Sequence, residues 1–155
     1  MRAKSGFTLV EILIVVVILG ILAAIVIPQF TSASTEAKES ALVSDLQSVR
    51  SQIELYKIHH NDNLPGTQGI SFVLAMTSKT DQDGVVGVGV TFRFGPYMQS
   101  IPVNPFNDLN TVEEDGTPGN NDYGWHFTTT GANAGLFQAD DDKVNQVDGT
   151  LHVNY

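Results

Sequence analysis

The first 30 residues contain one long apolar stretch that follows a short basic segment. No polar side chain occurs from Ile12 to Ile27, and together with residues 7–10 the stretch reaches about 20 residues, enough for a helix to cross a ~30 Å hydrocarbon core. Arg2 and Lys4 precede it without a neighbouring acid, which favours a cytoplasmic N-terminus and an exported remainder. The pattern therefore predicts one membrane-spanning helix.

A second helical pattern follows the apolar stretch. Its apolar residues recur at spacings of 3 and 4 and form one seam: Leu42, Leu46, Val49, Ile53 and Tyr56. Charged residues are predicted on the other faces: Glu39, Asp45, Arg50, Glu54 and Lys57. Because no strong breaker lies between Gln29 and Asn61, we expect one continuous helix from about Phe7 to about His60.

The remainder of the chain favours short elements separated by turns. Residues 69–76 are typical of a short helix, residues 84–94 of a mobile glycine-rich loop followed by a strand, and residues 107–121 of a loop with an exposed acidic segment. Residues 122–128 and 135–139 predict a hairpin, and residues 151–154 a short final strand.

Composition limits the classes of function. The 155 residues, 42% of them apolar, suit one membrane helix and one soluble domain of about 100 residues. A formal net charge of −9 makes nucleic acid an unexpected partner, and the absence of cysteine means that an exported fold is held without disulfides. No GxSxG or HExxH motif is present, so a hydrolase is not predicted and we do not expect an enzyme.

Glu11 is the exceptional residue of the apolar helix. An ionised carboxylate in the hydrocarbon layer is costly unless a partner neutralises it, although near the end of the segment it can also reach the interface. The residues around it, Gly6-Phe7-Thr8-Leu9-Val10-Glu11 after a basic leader, resemble the class III signal of type IV pilins and type II secretion pseudopilins. A conventional secretory signal cleaved after Ser34 is the less favoured alternative, because its apolar region would be too long and would contain Glu11.

This resemblance implies roles for particular residues. Prepilin peptidase would cut after Gly6 and methylate the new N-terminal residue, Phe7, and the Phe7 amino group of one subunit would be neutralised by Glu11 of a neighbour. Pro28 matches the family's helix proline and removes a helical hydrogen bond, while Gly20 is a second weak point. These two residues are expected to let the helix soften on assembly or only to bend it.

Two further segments resemble the G-type major pseudopilins. One is Gly95-Pro96-Tyr97 followed by Ile101-Pro102-Val103-Asn104-Pro105-Phe106, and the other is the hairpin with Gly124-Trp125 and Phe137. In such a hairpin, packed on the spine helix, the resemblance implies that Trp125 and Phe137 are core residues; a carbohydrate-binding platform is the alternative. The resemblance implies an α+β, type IV pilin-like fold in which a long N-terminal helix, transmembrane in its first half, packs on a small antiparallel sheet. It divides the chain into a prepilin leader (1–6), a transmembrane and assembly helix (7–30) and a soluble domain (31–155) with a helical spine over 33–60.

The implied function is that of a structural subunit. The chain would form a periplasmic pseudopilus in a type II protein secretion system, as a homopolymer joined through N-terminal helices, with prepilin peptidase, an inner-membrane assembly platform and minor pseudopilins as partners. It would lie in the inner membrane as a single-pass protein with its C-terminal domain in the periplasm. The alternative is a surface type IV pilin for adhesion, motility or DNA uptake, because the first helix is common to both classes.

Two acidic or histidine-containing clusters are candidates for metal binding. Asp140, Asp141, Asp142 and Asp148 carry the oxygen ligands that calcium prefers, and G-type pseudopilins hold calcium in a C-terminal loop, although the usual ligand-bearing loop and EF-hand spacing are absent. A solvated acidic surface is the alternative. His59-His60 with Asp62 is interpreted as a solvated helix end, because adjacent residues point to different helix faces.

Overall fold

The computed structural model describes residues 6–146 and 148–155, and its dominant element is helix α1, Leu9–His59. The continuous helix predicted from the sequence is confirmed, and Pro28 lies inside it. The leader before Gly6, including Arg2 and Lys4, lies outside the described residues. The chain divides between Ala37 and Lys38 into two compact units, so α1 belongs to both.

Within the second unit, the apolar seam of α1 forms one wall of the core. The five predicted positions are at most 2% exposed: Leu42, Leu46, Val49, Ile53 and Tyr56. The prediction that Glu39 lies on another face is wrong, because Glu39 continues the seam three residues before Leu42 and is 5% exposed. Its Oε1 accepts a hydrogen bond from the backbone N–H of Gln146 at 2.8 Å, which compensates the burial.

Helix α2, Phe72–Thr77, confirms the predicted short helix. Its N-cap is Ser71, whose side chain accepts a hydrogen bond from the N–H of Leu74, and Glu114 accepts another from the N–H of Phe72 at 2.8 Å. Phe72 and Met76 are fully buried, and α2 therefore contributes its apolar face to the core.

A small sheet forms the other wall of the core. Its strands are β1, Val112–Glu114, β2, Trp125–Phe127, and β3, Phe137–Ala139, in the order β1-β2-β3. The hairpin of β2 and β3 is antiparallel and confirms the prediction, and the α+β, type IV pilin-like fold class is confirmed with it. The sheet as a whole is mixed, because β1 pairs with β2 in parallel.

Aromatic side chains fill the space between the sheet and the helices. The Phe72 ring lies 4.6 Å from that of Phe127 and 5.4 Å from that of Phe137, and Trp125 stacks on Phe137 at 5.4 Å. Trp125 and Phe137 are fully buried, so the prediction that both are core residues is confirmed.

Three local predictions are wrong. Strand β1 lies within residues 107–121, where only a loop was expected. Three residues with two carboxylates carry no strand pattern in the sequence, but their backbone pairs with β2.

The strand expected within 84–94 is reduced to isolated bridges of Thr80 with Val86 and Phe94, since Gly89 at φ +122° turns the chain between them. The strand expected at 151–154 is a 3-10 helix, His152–Asn154, preceded by one bridge between Leu151 and Val144.

Candidate functional site

The first unit presents an apolar helix without a cover of its own. Every large apolar side chain from Phe7 to Phe30 is between 41% and 83% exposed. The helix is long and apolar enough to cross a membrane, by length and composition. An apolar surface of this extent requires either lipid or other helices around it.

Glu11 has a hydrogen-bonding partner within its own chain. Its Oε2 accepts hydrogen bonds from the N–H and the hydroxyl of Thr8, each at 2.8 Å, and the Thr8 hydroxyl lies 3.3 Å from the N–H of Glu11. Thr8 precedes the first residue of α1, so the pair forms a capping box. This role of Glu11 was not predicted above, although Thr-x-x-Glu before an apolar run is the sequence signature of a capping box.

The other predicted assembly residues lie along the same segment. Gly6 and the 83% exposed Phe7 precede α1. Apart from the adjacent helix backbone, no heavy atom of the described residues lies within 4 Å of the position that a Cβ would take on Gly20. The carbonyl oxygen of Pro28 accepts a hydrogen bond from the hydroxyl of Ser32, four residues later in the helix, at 3.2 Å. Cleavage, methylation and softening of the helix stay predictions.

Asp140 and Asp141, the first two candidate calcium ligands, are buried and occupied by other contacts. Asp140 accepts hydrogen bonds from the N–H groups of Gly119 at 2.6 Å and Tyr123 at 3.0 Å, and so fixes the connection between β1 and β2. Asp141 lies 2.6 Å from Nδ1 of the fully buried His152. Both carboxylates therefore serve the packing of the second unit.

Asp142 and Asp148 are exposed and contact different partners. Asp142 pairs with Nζ of Lys143 at 2.5 Å, and this hydrogen bond lowers the pKa of Asp142. Asp148 accepts a hydrogen bond from the N–H of Thr150 at 2.9 Å. Within residues 6–146 and 148–155, no group of three acidic, histidine or cysteine side chains could hold a metal ion. The four aspartates thus do not fit a shared calcium site in this geometry.

His60 is not on a solvated helix end, as the sequence suggested, but fully buried. Its Nε2 lies 3.1 Å from the hydroxyls of both Thr80 and Tyr97, and its Nδ1 lies 3.2 Å from the carbonyl oxygen of Gln82. Burial lowers the pKa of His60 and raises the pKa of Tyr97 to about 12. This neutral network secures the chain after α2 to the end of α1.

Asn104, within the segment that resembles the G-type pseudopilins, joins several elements and was not identified from the sequence. Its fully buried amide donates hydrogen bonds to the carbonyl oxygen of Gly124 and to Asp141, both at 2.9 Å, and its Oδ1 accepts one from the N–H of Phe106. The indole N–H of Trp125 donates to the carbonyl oxygen of Pro102 at 2.8 Å. The segment thus serves a structural role.

Comparison with known proteins bears on the N-terminal segment and on most of the chain. Residues 1–27 match the family model of the prokaryotic N-terminal methylation motif. The type II secretion system core protein G of Pseudomonas aeruginosa is 34% identical over 119 residues, which cover 76% of this chain and 79% of the relative. The corresponding proteins of Aeromonas hydrophila and Klebsiella pneumoniae are 29% and 28% identical, over 69% and 79% of this chain and 71% and 93% of their own length.

No solved structure shows significant similarity to the chain. The sequence relatives are decisive, because the similarity extends well beyond the methylation motif into the second unit. The chain belongs to the family of type II secretion system core protein G, the G-type pseudopilins.

Proposed function

We propose that the chain is a structural subunit of the periplasmic pseudopilus of a type II secretion system, processed by prepilin peptidase and polymerised through its N-terminal helix. The observation that carries this proposal is the 34% identity to a core protein G over 79% of that relative. The exposed apolar side chains of residues 7–30 supply a surface for polymerisation.

The proposed organisation follows the order of the chain. Residues 1–6 are the leader, residues 7–30 cross the inner membrane before assembly, and residues 31–155, with the spine at 33–60, lie in the periplasm. After cleavage at Gly6, the same apolar helix leaves the bilayer and packs among other copies, since lipid and neighbouring helices offer it equivalent apolar surroundings. The peptidase, an assembly platform in the inner membrane and minor pseudopilins are the proposed partners.

Glu11 and Phe7 are the proposed recognition pair of assembly. A free amino group on Phe7 carries a positive charge in an apolar environment, and a carboxylate of a neighbouring helix neutralises it. Among the residues that the structure describes, the groups that donate hydrogen bonds to the Glu11 carboxylate are the neutral N–H and hydroxyl of Thr8. The carboxylate therefore retains its negative charge for an incoming subunit, while the cap fixes its position at the start of the helix.

The relatives favour secretion over the alternative of a surface pilus. All those compared above carry the name of a secretion-system core protein, and none is named as a pilus subunit. The name of a core component likewise favours a structural role over catalysis.

Complementation tests this function. In a bacterium whose own core protein G has been deleted, the chain should restore secretion of the type II substrates, and over-production should give filaments visible by electron microscopy. Gly6→Lys, which blocks cleavage while sparing insertion, is the matched control and should restore neither. Surface fibres without secretion would support the pilus alternative, and the absence of both would contradict assembly altogether.

A further inference from the structure

An open groove of about 550 Å³ lies on the second unit between helix α2 and the segment that leads into strand β1. We call it the α2–β1 groove. Its volume falls within the range of about 300–1,000 Å³ that is typical of small-molecule sites. The groove belongs wholly to the second unit, so its occupancy can be tested without assembly.

The lining of the α2–β1 groove is apolar in part and otherwise polar without charge. Its apolar side chains are Val73, Ile101 and Val112. Its polar side chains include Gln99, Asn110 and Tyr123. A second groove on the same unit is lined instead by charged residues, among them Asp81, Asp83 and Arg93. Because no charged residue of the part of the chain that the structure describes lines the α2–β1 groove, its chemistry favours an uncharged ligand.

The polar side chains of the groove are available to a ligand. Among the described residues, those of Gln99, Asn110 and Tyr123 form no hydrogen bond within the chain. The nearby Asn107 differs, because its amide donates to the carbonyl oxygen of Tyr123 at 2.7 Å and its Oδ1 accepts from the N–H of Leu109. A free carboxamide offers both donors and an acceptor, and a tyrosine offers an apolar ring with a polar tip.

The walls of the groove are fixed by backbone hydrogen bonds. The carbonyl oxygen of Thr111 accepts from the N–H groups of Gly124 at 3.1 Å and Trp125 at 3.0 Å. On the other side, the N–H groups of residues 97 and 98 donate to the carbonyl oxygen of Met76 in α2 at 2.9 and 3.1 Å. The groove is therefore largely formed before any ligand enters, which lowers the entropic cost of binding.

From this lining we propose that the α2–β1 groove binds an uncharged oligosaccharide. A sugar ring has apolar C–H faces, which pack on Tyr123 and on the apolar side chains of the groove. Its hydroxyl edges both donate and accept hydrogen bonds, as the amides of Gln99 and Asn110 do. An added peptide strand is less favoured, because it needs free backbone groups and the carbonyl oxygen of Thr111 already accepts two bonds.

Titration of the full chain with two neutral trisaccharides tests the groove. Triacetylchitotriose carries acetamido groups and cellotriose carries hydroxyls alone, so the two probes distinguish an N-acetylated glycan from a plain glucan. The chain is kept in a detergent without a sugar head group, and saturation-transfer NMR measures binding and its Kd. At least one of the two trisaccharides should bind saturably.

Substitutions in the groove locate the binding. Tyr123→Ala should weaken it about tenfold, whereas Tyr123→Phe keeps the ring and should lose less. Asn110→Ala, at an exposed position, should weaken it about fivefold and keeps the test informative if Tyr123→Ala does not fold. Asn133→Ala is the matched control, because Asn133 is also exposed but lies in the connection between β2 and β3.

Binding of neither trisaccharide, or binding that Tyr123→Ala and Asn110→Ala leave unchanged, would overturn the assignment. Tighter binding of an uncharged peptide of serine, asparagine and glycine than of either sugar would overturn it in favour of a peptide ligand. None of these results bears on the proposed function, which complementation tests separately.

Discussion

The guanidinium of Arg50 in α1 donates two hydrogen bonds to the carbonyl oxygen of Phe137 in β3, at 3.0 and 2.7 Å, and a third to the carbonyl oxygen of Tyr155 at 2.5 Å. Strand β3 lies at one edge of the sheet. One charged side chain of the spine therefore satisfies a backbone acceptor at this edge and holds residue 155 beside it.

Arg50→Ala should lower the free energy of unfolding by about 2 kcal/mol, because it leaves a partly buried carbonyl oxygen without its charged donors. The measurement is urea unfolding of the full chain in detergent, followed by the fluorescence of Trp125, the single tryptophan. Lys57→Ala is the control, since Lys57 pairs with Glu54 at the surface and should cost less than about 1 kcal/mol. Equal losses in both variants would show that the bonds of Arg50 add nothing specific.

Local periodicity was sufficient to predict much of this fold. The spacing from Leu42 to Tyr56 identified the buried face of α1, since a helix repeats every 3.6 residues whatever packs against it. The hairpin of Trp125 and Phe137 was also predictable from local sequence, because two short apolar strand patterns are separated there by a few turn residues.

The missed features depend on residues distant in sequence. Arg50 donates its hydrogen bonds to the carbonyl oxygen of Phe137, which is 87 residues away in sequence. The burial of Glu39 depends on the N–H of Gln146, which is 107 residues away. The same holds for Asp141, whose acidic context suggested a metal ligand, whereas its partners are His152 and Asn104. A charge pattern alone does not distinguish a solvated carboxylate from one that serves as an internal acceptor.

Acid should destabilise the second unit through His60. Burial lowers the pKa of His60 in the folded chain below its ordinary value of 6.5, so the unfolded chain binds the proton at higher pH. The contribution of neutral His60 to the free energy of unfolding is fully present above about pH 6.5. It declines as the pH falls from there toward the pKa of His60 in the folded chain. Urea unfolding between pH 7.5 and 5 should show this loss, and His60→Asn should be less stable at pH 7.5 but lose less on acidification. An unchanged pH dependence in His60→Asn would assign it to other groups.

Asp141→Asn should destabilise the chain without any calcium. The variant replaces a buried carboxylate acceptor with an amide and weakens its hydrogen bond with His152, at a cost of about 2 kcal/mol. Unfolding in the presence of a chelator measures this loss, and Asp142→Asn, at an exposed position, should change stability by less than about 0.5 kcal/mol.

Calcium addition to the same proteins tests the ligand set suggested by the family resemblance. The present geometry predicts no increase in Tm on adding millimolar calcium. An increase in the wild-type chain that Asp142→Asn abolishes would show that the aspartates rearrange around the ion.

The mature chain should begin at N-methylated Phe7. Gly6 and Phe7 precede the first turn of α1 and Phe7 is 83% exposed, so the bond between them is accessible to a peptidase. Intact-protein mass spectrometry of the membrane fraction decides this, and Gly6→Lys should retain the leader while staying in the membrane. A mature start at Thr35 in cells that contain the peptidase would instead indicate a conventional secretory signal.

Glu11 has two proposed roles, as a hydrogen-bond acceptor in the cap with Thr8 and as a negative charge for a neighbouring subunit. Glu11→Ala would remove both roles at once, but other substitutions separate them. As a capping residue, Glu11 needs a side-chain oxygen that accepts hydrogen bonds from Thr8, and the amide oxygen of glutamine can also accept them. As the partner of a neighbour's Phe7 amino group it needs a negative charge, which glutamine lacks. Glu11→Gln should therefore be cleaved, membrane-bound and stable but unassembled, whereas Thr8→Ala, which keeps the charge, should still form filaments.

The measurement is cell fractionation with electron microscopy of over-producing strains, and Glu11→Ala provides the reference in which the side-chain acceptor and the charge of Glu11 are both absent. Insertion should be unaffected or easier in Glu11→Gln and Glu11→Ala, because each removes a charge from the apolar segment. Filaments from Glu11→Gln with none from Thr8→Ala would reverse the assignment: the cap would be what assembly requires, and Glu11 would act by holding the start of α1 rather than by attracting the incoming subunit.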